Sequence, residues 1–219
     1  AGIRKFFAGP ESFTPDTNTL LGEVPGLKNL FACCGLNSIG IGSGGGVGKV
    51  TAEWLINGHI NEDLFIYDIK RFQNFHSEIN FIKSRITETL GDLYGMHWPY
   101  KQHKTSRNQK LLPYHEELKK SGACFGVSSG YERPMWFAKE NEKPEINYSY
   151  NYQNWYPSVK FETKNTKENV GLFDLTAFSK YDLKGENAHN ELQKICTANV
   201  KNEIGKTTYT QMLNEDAGI

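Results

Sequence analysis

The sequence lacks an excess of charge of either sign. Its 25 Lys and Arg residues balance its 25 Asp and Glu residues, which gives a net charge of zero at pH 7. Nucleic acids and anionic membranes attract proteins through a surplus of basic side chains, so we expect neither as a partner. The sequence also has no apolar run near the roughly 20 residues that a transmembrane helix requires, which agrees with this expectation.

Cysteine is scarce, and the few that occur are not arranged for cross-linking. They are Cys33, Cys34, Cys124 and Cys196, and no two are spaced as C-x-x-C. Disulfide scaffolds and structural zinc sites both depend on clustered cysteines, so we predict free, buried thiols in a reducing compartment. The histidines are scattered and form no H-E-x-x-H motif, and we therefore predict no metal site.

The first third of the chain combines a strand pattern, a run of glycines and a helix pattern. A short apolar run at 29–34 suits a buried strand, and the next 14 residues, 35–48, contain seven glycines. Apolar residues at helical spacing follow from Val47, and Asn57-Gly58 ends them. A strand, a glycine-rich loop and a helix in this order are the usual setting of a nucleotide or cofactor.

The rest of the chain alternates between helix and strand patterns. Between 73 and 150 we predict a polar loop at 101–110, a helix at 115–120, strands at 123–127 and 131–137, and a surface loop at 139–147. Before them lies a helix whose apolar face would consist of Ile79, Ile82, Ile86, Leu90 and Leu93. After 150 we predict helices at 159–170 and around 188–195, and strands at 180–183 and 207–213. The fold class is a mixture of α+β and α/β.

Two short motifs almost fit the glycine-rich loop. A phosphate-binding P-loop is contradicted by Ser43, which stands at its first glycine, and by Val50, which stands where a Mg²⁺-binding Ser or Thr belongs. Gly40, Gly42 and Gly45 satisfy G-x-G-x-x-G, but so many glycines make that match weak evidence. The loop could bring the backbone close to a ligand at the start of a helix, or it could be a tight turn that packs the helix on the strand.

Longer strings are more specific than these motifs. They are residues 9–16 (GPESFTPD), 35–41 (GLNSIGI), 44–49 (GGGVGK) with 52–54 (AEW), 130–134 (GYERP) with 136–137 (WF), and 209–215 (YTQMLNE). Over nearly the whole chain, and in family order, they resemble the sarcosine and dimethylglycine dehydrogenases. The first two strings are more similar to the sarcosine dehydrogenases.

This resemblance implies three domains. Residues 1–72 would be the C-terminal part of a flavin domain of the D-amino-acid-oxidase type, and 73–150 a central α+β connecting domain. Residues 151–219 would begin a folate-binding domain similar to the glycine-cleavage T-protein. The chain would then be an internal fragment, whose compartment is either the bacterial cytoplasm or the mitochondrial matrix.

The resemblance also implies two cofactors, FAD and tetrahydrofolate. In the family, the loop matching 35–40 passes beside the flavin ring, where backbone N–H groups can stabilise negative charge on the reduced flavin. The side chains of Asn37 and Ser38 could meet the flavin or the substrate, or could only hold the turn. The residues assigned to FAD contact are Gly35, Leu36, Asn37, Ser38, Ile39 and Gly40.

One departure from related monomeric sarcosine oxidases concerns the electron acceptor. Those oxidases carry a lysine near the flavin, two residues after the last glycine of this loop, and its charge favours reaction with O₂. Here that position is Gly42. The resemblance therefore implies a dehydrogenase that passes electrons to an electron-transfer flavoprotein.

For folate, the family positions that line the pocket match Phe178 and Tyr209. Either aromatic ring could stack on the pterin or aminobenzoyl group, although considered alone each would more often belong to a core. The catalytic aspartate of T-protein-like domains would lie beyond Ile219, so Asp216 is not expected to replace it. Asp174 is expected to be a turn or cap residue.

The implied activity is oxidative demethylation of sarcosine or dimethylglycine by hydride transfer to FAD, with the one-carbon unit passed to tetrahydrofolate. We expect the catalytic residues outside this chain, and we expect the isolated chain neither to retain FAD nor to turn over amine. Two alternatives are a non-catalytic regulatory homologue of the same architecture and a folate-dependent aminomethyltransferase. The glycine-rich strings weigh against the second, because a plain T-protein has no flavin domain.

Overall fold

The structure, a computed structural model, describes residues 2–60, 62–215 and 217–218, so Asp216 and Ile219 lie outside the described residues. The chain forms two compact units, divided between Asp174 and Leu175. Among the described residues, the first contains both sheets and four of the α-helices, and the second contains one α-helix. This mixture of helices and strands confirms the predicted mixed class. Among the described residues, every helix is too short or too polar to cross a membrane.

The first unit begins with a two-stranded ribbon. Strands β1 (Leu20–Glu23) and β2 (Phe31–Cys34) pair antiparallel, with Leu20 opposite Cys34. Strand β2 confirms the predicted strand but not its predicted burial. Cys33 and Cys34 are exposed, because β1 is the strand's only partner in a two-stranded sheet among the described residues.

Helix α1 (Gly40–Asn57) follows the ribbon and ends at Gly58, whose φ of 77° places it in the left-handed region. The helix is held on the ribbon by Trp54. A Cβ atom on Gly22 would lie 2.5 Å from the Trp54 ring, and Phe31 meets the same ring edge to face at 5.9 Å. The close approach of an indole ring to the β1 backbone therefore requires glycine at position 22.

The predicted extent of the glycine-rich loop was wrong. Helix α1 begins at Gly40, so only Gly35 of the seven glycines remains in the loop. Chain reversal is completed within four residues by a tight turn, in which the Ile39 N–H donates to the Leu36 carbonyl at 3.0 Å. Because the turn is so short, helical hydrogen bonding starts before the glycine run ends, in spite of the low helix propensity of glycine.

Helix α2 (Ile79–Leu93) confirms the predicted helix but not its predicted face. The buried residues are Phe81, Arg85 and Thr89, whereas Ile79 is 61 % exposed. The buried face is offset by one position because the loop at 102–109 lies against it. Arg85 donates from Nη2 to the Thr105 carbonyl in that loop at 2.6 Å.

A three-stranded sheet with two helices completes the first unit. The sheet order is β3-β5-β4, with β4 antiparallel and β3 parallel to β5. Ala123, Cys124 and Trp136 are almost fully buried in it. The strand and helix predictions at 115–137 are confirmed, and the predicted helix at 159–170 begins three residues earlier. The elements are β3 (Lys110–Leu111), α3 (His115–Lys120), β4 (Ala123–Ser128), β5 (Tyr131–Phe137) and α4 (Tyr156–Glu168).

The second unit contains helix α5 (Ala188–Ile195), as predicted. The predicted strands at 180–183 and 207–213 were wrong, since the described residues form only an isolated bridge between Cys196 and Met212. A strand needs a partner backbone along its length, and the described part of this unit supplies one at a single point.

Candidate functional site

The turn between β2 and α1 has a left-handed backbone at three positions. Gly35 has φ of 63°, Asn37 of 48° and Ser38 of 64°. At Gly35 a Cβ would also lie 2.5 Å from the Thr14 methyl group, so this position admits only glycine without a rearrangement. Asn tolerates a left-handed backbone better than most residues, whereas Ser is less suited to it. The turn is therefore a strained feature that other contacts must maintain.

Those contacts come from the side chain of Asn37, which is 1 % exposed. Its Oδ1 accepts from the Thr14 backbone N–H at 2.8 Å, and its Nδ2 donates to the Gly35 carbonyl at 2.7 Å. The Oδ1 also shares the single proton of the Thr14 hydroxyl, at 3.2 Å, with the Asn18 carbonyl, which lies at 2.9 Å. We call the three bonds of the Asn37 side chain the Thr14–Asn37 clasp. The polar atoms of Asn37 are thus engaged within the turn.

Ser38 differs from Asn37 in its exposure to solvent. It is exposed, and its hydroxyl donates to Glu11 Oε1 at 2.6 Å. Of the two polar side chains in the turn, only Ser38 lies at the surface.

The segment that carries Thr14 is anchored by Arg71. The Arg71 guanidinium donates to both carboxylate oxygens of Asp16, at 2.7 and 3.0 Å, and to the Asn18 carbonyl at 2.8 Å. Such a bidentate pair is geometrically specific. Sequence reasoning missed Thr14 and Arg71 as supports of the turn. The family string at 9–16 contains Thr14 and Asp16, but nothing in the sequence links Arg71 to this string.

The start of helix α1 leaves backbone donors free. Ile39 at the N-cap has no capping side-chain hydrogen bond, and no acidic residue lies in the first turn. Within the described ranges, the N–H groups of Gly40, Ile41 and Gly42 have no protein acceptor. Unpaired donors at a helix start carry partial positive charge and favour an anionic or electron-rich group.

An open cavity of about 300 Å³ lies beside this helix start. Ile39, Gly42 and Gly46 line it from the helix side, and Leu21 and Tyr67 from the opposite side. A side chain at Gly42, Gly44, Gly45, Gly46 or Gly48 would meet nothing within 4 Å. Packing within the described chain therefore does not explain these glycines.

The two residues assigned to folate lie in the second unit. Phe178 is 57 % exposed and Tyr209 is 94 % exposed. The structure places neither in a buried core. Asp174, expected at a turn or cap, is half-buried at the end of the first unit.

Three possible metal ligands come together where the sequence predicted no metal site. Glu88, Asp92 and His103 offer ligand atoms within 4.8 Å of one another. Protein donors already satisfy the carboxylates, since Lys101 pairs with Asp92 and the Lys104 and Thr105 N–H groups donate to Glu88 at 2.7 and 2.8 Å. Burial and the nearby Arg85 lower the pKa of His103 despite the two carboxylates.

A buried ion pair, which we call the Arg107–Glu132 pair, ties the loop before β3 to strand β5. Glu132 is 1 % exposed. It accepts from Arg107 Nε at 2.7 Å, from Arg107 Nη2, and from the Asn108 N–H at 2.8 Å. Arg107 also donates to the Phe125 carbonyl on β4 at 3.0 Å. Burial alone would raise the pKa of Glu132, but these hydrogen bonds hold it below its ordinary value.

Two family models match adjacent parts of the chain. The FAD dependent oxidoreductase central domain matches residues 57–111, and the GCVT N-terminal domain matches residues 114–219. Arg107 lies in the first match and Glu132 in the second, so the buried ion pair and the β3–β5 pairing cross from one match to the other.

Curated relatives match almost the entire chain. The 4-methylaminobutanoate oxidase (formaldehyde-forming) of Paenarthrobacter nicotinovorans is 42 % identical over 100 % of the chain and 27 % of its own length. The mitochondrial sarcosine dehydrogenase of Homo sapiens is 33 % identical over 99 % of the chain and 26 % of its length. The mitochondrial pyruvate dehydrogenase phosphatase regulatory subunit of Mus musculus is 31 % identical over 99 % of the chain and 25 % of its own length.

The chain thus spans about a quarter of the length of these relatives. The predicted resemblance is confirmed: the chain is homologous to the FAD-dependent oxidoreductases that carry a GCVT domain, among them the sarcosine and dimethylglycine dehydrogenases.

Proposed function

We propose that this chain is the segment of a flavin-dependent amine dehydrogenase that joins the end of its flavin domain to the start of its folate domain. The substrate would be a small N-methylated amino acid, and sarcosine and dimethylglycine are the leading candidates. The observation that supports this best is the uncapped start of helix α1, beside an open cavity and directly after the strained turn at 35–39.

The glycines of α1 strengthen the argument. Six glycines within a helix disfavour it by roughly 5 kcal/mol relative to alanine, at about 0.8–1 kcal/mol each. At five of them the described chain leaves the space around a Cβ open. Glycine is useful there if a group from outside this segment approaches the backbone closely, and a flat flavin ring is such a group.

When bound, FAD supplies a two-electron acceptor for a hydride. The amine would lose that hydride from its N-methyl carbon, and the one-carbon unit would then leave as formaldehyde on hydrolysis or pass to tetrahydrofolate. The contribution of this chain is to direct the N–H groups of Gly40, Ile41 and Gly42 at the electron-rich edge of the cofactor and to stabilise charge there. Gly35 to Gly40 would form the flavin contact.

The folate part of the proposal concerns the second unit. Phe178 and Tyr209 would line the folate site, where an aromatic ring could stack on the pterin or aminobenzoyl group. The domain limits at 72/73 and 150/151 remain predictions.

The proposed electron acceptor is an electron-transfer flavoprotein. At the position where an oxidase carries lysine, Gly42 offers no cation to stabilise the charge that develops on reduced oxygen. One relative is nevertheless named an oxidase, so the reaction with O₂ has to be measured directly.

The test uses the full-length protein that contains this chain. Under anaerobic conditions, flavin absorbance is followed by stopped flow after mixing with sarcosine, dimethylglycine or 4-methylaminobutanoate, and the reduced protein is then mixed with O₂. We expect rapid bleaching by one of these amines and slow reoxidation by O₂. Bound flavin that no N-methyl amine reduces would overturn the proposal, and rapid reoxidation would overturn the choice of acceptor.

A second candidate is a non-catalytic regulatory subunit, which the similarity to the phosphatase regulatory subunit favours. It predicts a full-length protein whose flavin, if present, no amine reduces. The isolated 219-residue chain does not discriminate between the two candidates, because we expect it to retain no FAD in either case.

A further inference from the structure

The Thr14–Asn37 clasp joins two segments that are 23 residues apart in sequence. Thr14 is 2 % exposed and Asn37 is 1 % exposed. Hydrogen bonds buried to this degree cannot be exchanged for bonds to water without opening the turn, and an unsatisfied buried partner would destabilise it. The clasp therefore selects one conformation of the turn.

The conformation that it selects is one that the backbone alone disfavours. Two consecutive non-glycine residues, Asn37 and Ser38, have positive φ, a conformation that costs free energy at each position. Without the Asn37 side chain, a turn with a relaxed Ser38 would become competitive. Such a turn would rotate the peptide groups that lead into Gly40, and with them the free donors at the start of α1.

Asn37 acts on these donors indirectly, because its Oδ1 and Nδ2 are both engaged inside the turn. Ser38 provides a natural comparison. It lies in the same turn, but its side chain is exposed and bonds only to Glu11 among the described residues.

We propose that Asn37 is a positioning residue that sets the reduction potential of the flavin, by holding the turn that orients the amides at the start of helix α1. This inference rests on the proposed function. Oriented amides favour the reduced, more negative cofactor over the oxidised one, so loosening the turn lowers the potential.

The experiment measures the midpoint potential of the bound flavin in the full-length protein, for the wild type, Asn37→Ala and the control Thr14→Ser. We expect Asn37→Ala to weaken the preference for the reduced flavin about tenfold, which is about 30 mV for a two-electron couple. Thr14→Ser retains both donors to Asn37 and should remain near the wild type.

A purely structural role for Asn37 predicts a different result. Asn37→Ala would then lower the melting temperature and the flavin content, while the flavin still bound would keep the wild-type potential. That result would overturn the inference, as would an equal shift of the potential in Thr14→Ser, which keeps both donors to Asn37. If Asn37→Ala does not fold, Asn37→Gly replaces it, since glycine accepts the left-handed backbone without forming the clasp. We expect the same drop in the midpoint potential of the flavin in that variant.

The outcomes also separate this inference from the function on which it rests. A wild-type protein that binds flavin reduced by an N-methyl amine, with a potential insensitive to position 37, refutes the inference alone. A wild-type protein without flavin refutes both.

Discussion

Replacing Glu132 by glutamine would test how strongly the buried Arg107–Glu132 pair stabilises the sheet that crosses the two family matches. The carboxylate accepts two bonds from Arg107 and one from the Asn108 N–H while it is 1 % exposed. Glutamine has nearly the same shape, but it carries no charge and offers one acceptor oxygen in place of two.

The magnitude follows from these bonds. Hydrogen bonds to charged groups contribute about 1.5–3 kcal/mol, compared with about 0.5–1.5 kcal/mol for neutral ones. Two charge-assisted bonds are weakened, and the partly buried guanidinium loses its counter-charge, so we expect a loss of about 3 kcal/mol, at the lower end of the cost of breaking a buried pair. The Arg107 bond to the Phe125 carbonyl survives and limits the loss.

Hydrogen exchange measured by mass spectrometry on peptides from β4 and β5 is the appropriate assay, because it reports local opening of the sheet under native conditions. A loss of 3 kcal/mol corresponds to about a hundredfold faster exchange. The matched control is Glu168→Gln, which removes the exposed pair between Lys164 and Glu168 at 3.8 Å and should change stability by less than about 0.5 kcal/mol. If Glu132→Gln accelerates exchange in β4 and β5 no more than Glu168→Gln does, the reasoning is refuted.

Three further predictions concern stability. Gly35→Ala, with φ of 63° and a Cβ 2.5 Å from Thr14, should lower the unfolding free energy by about 1–3 kcal/mol, and an unchanged melting temperature would contradict the turn geometry. Gly45→Ala, in open space within α1, should stabilise the chain by about 1 kcal/mol in thermal unfolding, yet reduce flavin retention in the full-length protein; unchanged retention would argue against close approach at that position. Because burial lowers the pKa of His103, its unfolded form takes up a proton below about pH 6.5 before the folded form does. Stability should therefore fall as the pH drops below about 6.5, and His103→Asn should reduce this slope between pH 6.5 and 5; an identical slope would refute the assignment.

Local patterns predicted most elements of the first unit. The helix at 115–120 and the strands around the 129–130 turn were predicted nearly to the residue, because turn residues and apolar runs there agree with the final pairing. In the first unit, two predictions about helices α1 and α2 were wrong for physical reasons. The glycine content of residues 35–48 predicted a loop, although backbone hydrogen bonds can continue through glycine once a turn has started the helix. The face of α2 was chosen by hydrophobicity, although a polar loop covers it and buries Arg85.

The candidate site, like the fold, could be predicted only in part from the sequence. The sequence indicated residues 35–40 through glycine content and family strings, and the chain alone could suggest a close backbone approach there. It could not indicate that Asn37 faces inward to Thr14 while Ser38 faces outward, since both are small polar residues in adjacent positions of one turn.

The sequence by itself determined the family resemblance, the mixed class and the order of most elements, because these depend on residue identity and on contacts between near neighbours. Only the tertiary structure decided which side chains hold the turn, which face of α2 is buried, and that Arg107 and Glu132 meet. These depend on contacts between residues 20 or more positions apart, and local periodicity carries no information about which distant segments come together.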